Sequence, residues 1–166
     1  MESNNLVDIP EYEGIYKFDI ELNQVYSIKR NKYLKNRLSK GYFRVGLCKN
    51  GKEKTIYLYR LIYIINNPTE DITGFDIDHI DGNPLNNNID NLRKCSRSDN
   101  CSNTKTQKNN KSTGIKNISK TEYDTYKFNL KKNGIYYSKT FKTIEEAIEY
   151  RDKFVFEKCG EFANLG

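Results

Sequence analysis

The chain has no tryptophan, a single histidine and only three prolines among its 166 residues. Its four cysteines include no Cys-x-x-Cys pair, so neither a zinc knuckle nor a disulfide framework is indicated and we expect reduced thiols. The chain also lacks an apolar run of about 18 residues, the length needed to span a membrane. Because the first residues have neither the basic nor the apolar region of a signal peptide, we expect a soluble, intracellular protein with no membrane partner.

The net charge of +6 is distributed unevenly. Residues 56–92 contain one basic and six acidic side chains, whereas residues 1–55 contain 11 basic and seven acidic ones, and residues 93–111 contain six basic and one acidic. An acidic block between basic flanks suits a cation site within a surface that binds a polyanion. The alternative is that solvated charges cluster by chance in segments this short.

Hydrophobic residues make up only 36% of the sequence, which supports modest cores and favours several small modules in a row over one large domain. The N-terminal part has the pattern of short strands joined as hairpins. Asn50-Gly51 between two alternating runs is a strong hairpin signal. The candidate strands are 15–20, 24–28, 42–47 and 54–58.

Between these hairpins, residues 29–44 contain seven basic side chains and no acidic one. Lysine and arginine near a phosphate release counterions, so this stretch predicts a surface that contacts phosphates, with Lys29, Arg30 and Arg37 as candidates. The alternative is an edge strand kept soluble by its lysines.

The middle of the chain predicts a strand, a loop, a second strand and a helix. Residues 75–80 alternate apolar and polar side chains, as a half-buried strand does, and Asp81-Gly82-Asn83-Pro84 supplies turn residues directly afterwards. Residues 91–95 fit a second strand. A short helix is also predicted before this unit, between Tyr57 and Asn67, because apolar residues recur there every three or four positions.

Ser96 has the position of a helix N-cap, with Asp99 as the acidic residue of a capping signature. The helix is therefore expected to begin at Arg97 and to carry Asn100 and Asn103 on one face, since residues three apart are neighbours on a helix.

Residues 112–166 predict a small sheet covered by a helix. Residues 126–131 alternate in polarity, Asn133-Gly134 turns the chain, and residues 135–141 return as another strand. Thr143 and Glu146 form a capping box, after which an apolar stripe continues at helical spacing. The helix is expected to cover the apolar face of the sheet.

His79, the only histidine, directly follows the carboxylate of Asp78. An adjacent acid and imidazole can hold a metal ion and activate water, and for both groups to converge on one site the strand has to end or bend there. The alternative is a histidine that serves packing or lies on the surface.

A set of residues around His79 recurs in a known order. It consists of Asp78-His79-Ile80-Asp81-Gly82-Asn83, Asn86-Asn87, Asn91-Leu92-Arg93 and Asn100. This set resembles the HNH motif of phage-type and intron-encoded homing endonucleases, whose core is a ββα-metal fold. One position departs from the family, which commonly has His-Arg-Leu where this chain has Tyr59-Arg60-Leu61. The base that the resemblance implies is the histidine of the Asp-His pair, which is present.

Two further resemblances flank this core. Tyr12-Glu13-Gly14-Ile15-Tyr16, Val25-Tyr26-Ser27, Gly41-Tyr42 and Tyr59-Arg60-Leu61 resemble NUMOD, a modular DNA-binding element that often precedes such a domain. Ser112-Thr113-Gly114-Ile115, Tyr126-Lys127-Phe128, residues 139–147 and Gly160-Glu161-Phe162-Ala163 resemble the APETALA-two DNA-binding domain.

The resemblance implies an α+β protein of four segments: a β-rich NUMOD-like element, a ββα-metal HNH core, a basic linker, and an APETALA-two-like domain with a three-stranded sheet and a helix. Their expected bounds are 8–56, 57–105, 106–111 and 112–166.

The function implied is a site-directed DNA endonuclease of the homing or mobile-element type, which hydrolyses phosphodiester bonds with one divalent metal ion. By the same resemblance, Asp78 and Asn100 hold the metal, His79 removes a proton from water, and Asn91 holds the loop and so the orientation of the imidazole. Oxygen ligands suit Mg²⁺, with Mn²⁺ as the alternative.

Double-stranded DNA is the expected partner, and the protein is expected wherever its target DNA resides. No dimer seam is visible, so we expect a monomer. A small twisted sheet can enter the major groove, so the exposed sheet face is expected to contact DNA. The candidates beyond the N-terminal ones are Arg93, Arg97, Lys127, Asn129, Lys131, Tyr137 and Lys139.

Two other readings of the sequence stay open. A non-cleaving DNA-binding or regulatory protein could descend from such an enzyme, and a plasmid cleavage assay with Mg²⁺ separates the two. An RNA-binding protein would prefer single-stranded RNA to duplex DNA in competition.

Overall fold

The computed structural model of the protein describes residues 5–106 and 112–166. Contacts between Cα atoms divide the chain into two compact units: Met1–Thr73 with Asn83–Arg93, and Gly74–Gly82 with Lys94–Gly166. Nearly all of the expected basic linker, residues 107–111, lies outside the described residues, and the division into four segments stays a prediction. Within the described residues, no helix has the length and apolar character needed to cross a membrane.

The first unit contains two antiparallel sheets. One has four strands in the order β1 to β4, and the hairpin of β2 and β3 is the one predicted from the sequence. In the other, β6 forms the predicted hairpin with β7 across Asn50 and Gly51, both with positive φ, and the added strand β5 pairs with β6. The strands are β1 (Leu6–Asp8), β2 (Tyr16–Asp19), β3 (Gln24–Ser27), β4 (Lys32–Tyr33), β5 (Arg37–Ser39), β6 (Tyr42–Lys49) and β7 (Lys52–Tyr57).

Helix α1 (Leu58–Asn66) follows β7 directly and lies within the predicted segment. It buries Leu58, Leu61 and Ile62, the face that the spacing of apolar residues indicated. The strands β1, β4 and β5 were not predicted, because they are only two or three residues long and so have no alternating pattern.

Strands β8 (Asp76–His79) and β9 (Leu92–Cys95) form a two-stranded sheet, and α2 (Arg97–Ser102) follows β9. This order of two strands and a helix confirms the predicted unit. The N-cap is also confirmed: Ser96 Oγ accepts a hydrogen bond from the backbone N–H of Asp99 at 3.1 Å.

The remaining part of the second unit is a three-stranded antiparallel sheet and a long helix, as predicted. The sheet has the order β10 (Ile118–Lys120), β11 (Tyr126–Lys132) and β12 (Ile135–Phe141), and α3 (Ile144–Cys159) begins with the predicted capping box of Thr143 and Glu146. A core of Phe128, Leu130, Val155 and Cys159 lies between the sheet and the helix.

The register between β11 and β12 corrects one expectation. Tyr137 pairs with Leu130 and Lys139 with Phe128, so both residues lie on the helix side of the sheet. Tyr137 packs against the core, 5.1 Å from the ring of Phe154 between centroids. Placing Tyr137 and Lys139 on the same surface as Lys127 was therefore wrong, because antiparallel partners project to the same face.

Candidate active site

Asp78 and His79 are the last two residues of β8, and both are buried, with 6% and 7% of their surfaces exposed. The strand ends there as the sequence required, because the backbone N–H of Gly82 donates to the carbonyl of His79 at 2.8 Å and closes a turn. Gly82 has a φ of 65°, a conformation that glycine adopts without steric cost. An acid and an imidazole thus lie next to each other at one end of a strand.

Helix α2 and the residue that caps its C-terminal end, Asn103, supply two asparagines to this strand. Asn100 Nδ2 donates to Asp76 Oδ2 at 2.9 Å, and one turn later Asn103 Nδ2 donates to both carboxylate oxygens of Asp78, at 3.2 and 3.0 Å. The predicted shared face of Asn100 and Asn103 is confirmed, since both contact β8. A role for Asn103 was missed, although its spacing of three from Asn100 was a signal that could have found it.

Asn103 also contacts the backbone beside the histidine. Its Nδ2 lies 2.9 Å from the carbonyl oxygen of His79, and Asn103 itself is only 6% exposed. Buried carboxylates need hydrogen bonds to offset the loss of hydration, and Asn103 provides them to Asp78. Asn103 therefore fixes the position of both residues of the acid–histidine pair.

The side chains around β8 suit a hard divalent cation in their chemistry. Asp78 offers carboxylate oxygens, and the amide of Asn100, whose nitrogen donates a hydrogen bond to Asp76, offers one oxygen. Among the described residues, no cluster of three or more His, Cys, Asp or Glu side chains surrounds a common point. The candidate ligands are thus one carboxylate and an amide oxygen, a set that fits Mg²⁺, which commonly takes few protein ligands and retains waters.

Asn91 lies in the first unit, at the end of a 3-10 turn of Ile89–Asn91, and is 9% exposed. Its Nδ2 donates to the carbonyl of Asn86 at 2.8 Å, and the side chain of Asn88 caps the same turn by accepting from the N–H of Asp90 at 3.2 Å. The side chain of Asn91 thus links the end of the loop between β8 and β9 to an earlier residue of the same loop, Asn86. Its effect on the imidazole stays a prediction.

The candidate DNA-binding residues differ in their surroundings. Lys29, Arg30 and Arg37 are exposed in the first unit, and Arg93 is half-buried in β9. Arg97 is exposed in the second unit, but its guanidinium forms an ion pair of 3.1 Å with Asp76. Its charge is therefore partly compensated before any phosphate is bound.

The face of the C-terminal sheet that points away from α3 carries Lys127, Asn129 and Lys131, all exposed, as predicted. Tyr136, which was not among the predicted residues, lies on the same face because it pairs with Lys131, and it is 75% exposed. The ammonium of Lys131 lies 4.7 Å from the centre of its ring. Cations and an aromatic ring on one open surface are suited to phosphates and bases.

Two strands followed by a helix that contacts the first of them, with an acid–histidine pair at the strand end, make this a site of the ββα type. A family model described as HNH endonuclease matches residues 57–101. DNA endonuclease I-HmuI of Bacillus phage SP01 is 40% identical over 117 residues, which cover 69% of this chain and 62% of I-HmuI. The uncharacterized HNH endonuclease L560 of Acanthamoeba polyphaga mimivirus is 36% identical over 107 residues, or 64% of this chain and 54% of that protein.

A solved structure that describes DNA binding and cleavage by the HNH homing endonuclease I-HmuI covers the chain more fully. The match extends over 93% of this chain and 90% of that chain, with 32% identity and a TM-score of 0.54. The chain therefore belongs to the HNH endonuclease family. It spans less than two thirds of the two curated relatives, 62% of I-HmuI and 54% of L560.

Proposed function

We propose that this protein is a site-directed DNA endonuclease of the homing or mobile-element type, which hydrolyses phosphodiester bonds with the help of one divalent metal ion. The observation that carries the proposal is the buried pair Asp78 and His79 at the end of β8, which accepts hydrogen bonds from Asn103, the C-cap residue of α2. I-HmuI, which is similar to this chain over most of its length, is itself a DNA endonuclease.

Each residue of the site has one task in this proposal. Asp78 and the amide oxygen of Asn100 hold the metal, with Mg²⁺ as the ion that their oxygen chemistry favours and Mn²⁺ as the alternative. A bound divalent cation neutralises the charge that develops on the phosphate and stabilises the departing oxygen. His79 acts as the general base and accepts a proton from the attacking water. Asn91 maintains the loop that follows His79, through its hydrogen bond to Asn86.

The proposed partner is double-stranded DNA, bound by a monomer. In the second unit, Lys127, Asn129, Lys131 and Tyr136 form an exposed, positively charged sheet face. In the first unit, Lys29, Arg30 and Arg37 are exposed on short strands and turns. Cationic side chains attract phosphates whatever the base sequence, so each surface would increase the affinity of the protein for DNA around the cleavage site.

Cleavage of a plasmid that carries the DNA flanking the protein's own gene tests the proposal. We expect nicking or cutting with Mg²⁺, none with EDTA, and a loss of roughly 10²- to 10⁴-fold in rate for His79→Ala, with DNA binding retained. Asn67→Ala is the matched control, since Asn67 donates to the carbonyl of Tyr63 in the first unit and has no part in the site. DNA binding without cleavage by the unaltered protein would instead identify a non-cleaving DNA-binding protein.

A further inference from the structure

The side-chain amide of Asn103 has hydrogen-bond partners for both its nitrogen and its oxygen, and these partners set its orientation. Its Nδ2 faces three acceptors, the carboxylate of Asp78 and the carbonyls of His79 and Ile80, at distances between 2.9 and 3.4 Å. A rotation of the amide by half a turn would place its oxygen against the carboxylate, which is unfavourable for two acceptors. The oxygen of the amide, Oδ1, lies on the other side and needs a donor.

Asn164, near the C-terminal end of the chain, supplies that donor. Its Nδ2 lies 2.8 Å from the backbone carbonyl oxygen of Asn103 and 3.3 Å from Asn103 Oδ1. Its own oxygen accepts from the backbone N–H of Gly166 at 2.9 Å, so the amide of Asn164 is also fixed in orientation. A single residue thus contacts both the side chain and the backbone of Asn103.

The same C-terminal region satisfies the end of helix α2. The last carbonyls of a helix have no partner within the helix, and α2 is only six residues long. The ammonium of Lys116 donates to the carbonyls of Ser102 and Asn164, each at 2.8 Å, and also to that of Thr104. A helix this short is marginal alone, so these contacts stabilise the helix that carries Asn100 and is capped by Asn103.

Arg151 of α3 contacts both Lys116 and the C-terminal segment that contains Asn164. Its guanidinium donates to the carbonyls of Lys116 and Leu165, at 3.2 and 3.0 Å, and Arg151 is only 6% exposed. Buried arginine is stabilised when its donors are satisfied in this way. The C-terminal segment is consequently fixed to the sheet-and-helix module on one side and to the end of α2 on the other.

We propose that Asn164 is a positioning residue of the active site, which acts through Asn103 to hold the Asp78 carboxylate and the His79 backbone in place. The C-terminal module is therefore part of the catalytic arrangement as well as a DNA-binding surface. The inference rests on the proposed function, because it assigns to Asn164 the support of a carboxylate that binds the metal.

The test compares Mn²⁺ affinity, measured by calorimetry, in full-length Asn103→Ala, Asn164→Ala and the double variant. Changes to groups that orient metal ligands typically cost 10- to 100-fold in affinity, so each single variant is expected to bind roughly tenfold more weakly. The double variant is expected to bind no more weakly than Asn103→Ala, since Asn164 acts through Asn103. Asn67→Ala is the control with unchanged affinity. A further loss in the double variant would overturn the route through the Asn103 side chain.

A second readout needs no metal. Because His79 is the only histidine, its imidazole gives one unambiguous set of proton resonances. We expect both single variants to shift these resonances and Asn67→Ala to leave them in place. Asn164→Asp, which keeps the acceptor for Gly166 and lacks the amide donor, replaces Asn164→Ala if that variant does not fold. Unshifted resonances together with wild-type Mn²⁺ affinity in the Asn164 variants would refute the inference.

Asp78→Asn separates the two proposals. If it abolishes Mn²⁺ binding while the Asn164 variants behave as wild type, the metal site stands and the role of Asn164 is wrong. If the unaltered protein binds no Mn²⁺, or if Asp78→Asn binds as well as wild type, the proposed metal site is wrong, and the role assigned to Asn164 falls with it.

Discussion

Lys132 at the end of β11 forms an ion pair with Asp99 in the first turn of α2, and its side chain is only 7% exposed. The same ammonium lies 3.3 Å from Ser102 Oγ. Burial by itself would raise the pKa of Asp99, but hydrogen bonds from Lys132 and Ser96 outweigh it and hold that pKa below its usual value. The C-terminal sheet is thereby attached to the helix that contacts the candidate site.

Replacing Lys132 with Met is expected to lower the free energy of unfolding by about 1–3 kcal/mol, because it keeps the aliphatic length but leaves Asp99 without its charged partner. Asp99 keeps partial access to water, with 27% of its side chain exposed, which limits the loss. Urea denaturation, monitored by circular dichroism, measures the change in the free energy of unfolding. Lys127→Met, on the exposed face of the same strand, is the control and should stay within about 0.5 kcal/mol of wild type. Equal losses in both variants would contradict the structural role of the pair.

The ionisation of Lys116 is expected to make the stability of the fold depend on pH. Burial lowers the pKa of Lys116 to about 8, from its usual value of 10.5. Between these two values the folded state has released a proton that the unfolded state still holds, so stability rises with pH across this window. Urea denaturation at several pH values from 7 to 10 should show a steeper rise for wild type than for Lys116→Met, which cannot titrate. Parallel curves for the two proteins would argue against the lowered pKa.

Lys127 and Lys139 lie on opposite faces of one sheet, so substitutions at these two lysines show which face binds DNA. If the face that points away from α3 binds DNA, Lys127→Ala should lower the slope of log affinity against log salt by about one. Lys139→Ala should change the slope less, because its ammonium lies 4.4 Å from the centre of the Tyr150 ring on the helix side. Fluorescence anisotropy with a labelled duplex at several salt concentrations measures both slopes. A larger change for Lys139→Ala would assign DNA to the other face.

Tyr59 occupies the position at which the resemblance to the HNH motif implies a histidine. Its ring packs against those of Tyr42 and Tyr57 in the first unit, with centroids 5.7 and 5.4 Å away. Tyr59→His is therefore expected to lower the free energy of unfolding by roughly 0.5–1.5 kcal/mol through lost ring contacts, and to leave the cleavage rate unchanged. Thermal unfolding and the plasmid assay measure the two effects. A marked gain in cleavage would show that the tyrosine limits activity.

Local signals predicted most of the secondary structure. The caps at Ser96 and Thr143 and the turn at Asn50-Gly51 are where the sequence placed them, because they depend on residues within a few positions of one another. The short strands β1, β4 and β5 were not predicted, since each has only two or three residues and therefore no alternating pattern of its own.

The error at Tyr137 has a similar cause. Strand β12 exposes residues on both faces, among them Ile135, Tyr136 and Lys139, so its polarity does not show which face is covered. Only the register, which pairs Tyr137 with Leu130, decides this. Tyr136 was overlooked for the same reason.

The sequence alone determined the family motif and the ββα order, and it indicated that Asp78 and His79 stand at a strand end, because these follow from adjacent residues and their spacing. Only the tertiary structure decided that Asn103 donates hydrogen bonds to Asp78, that Lys132 pairs with Asp99, and that Asn164 lies against Asn103. These contacts join residues 25, 33 and 61 positions apart. They depend on how the helix, the strands and the C-terminal segment pack, which no local pattern encodes.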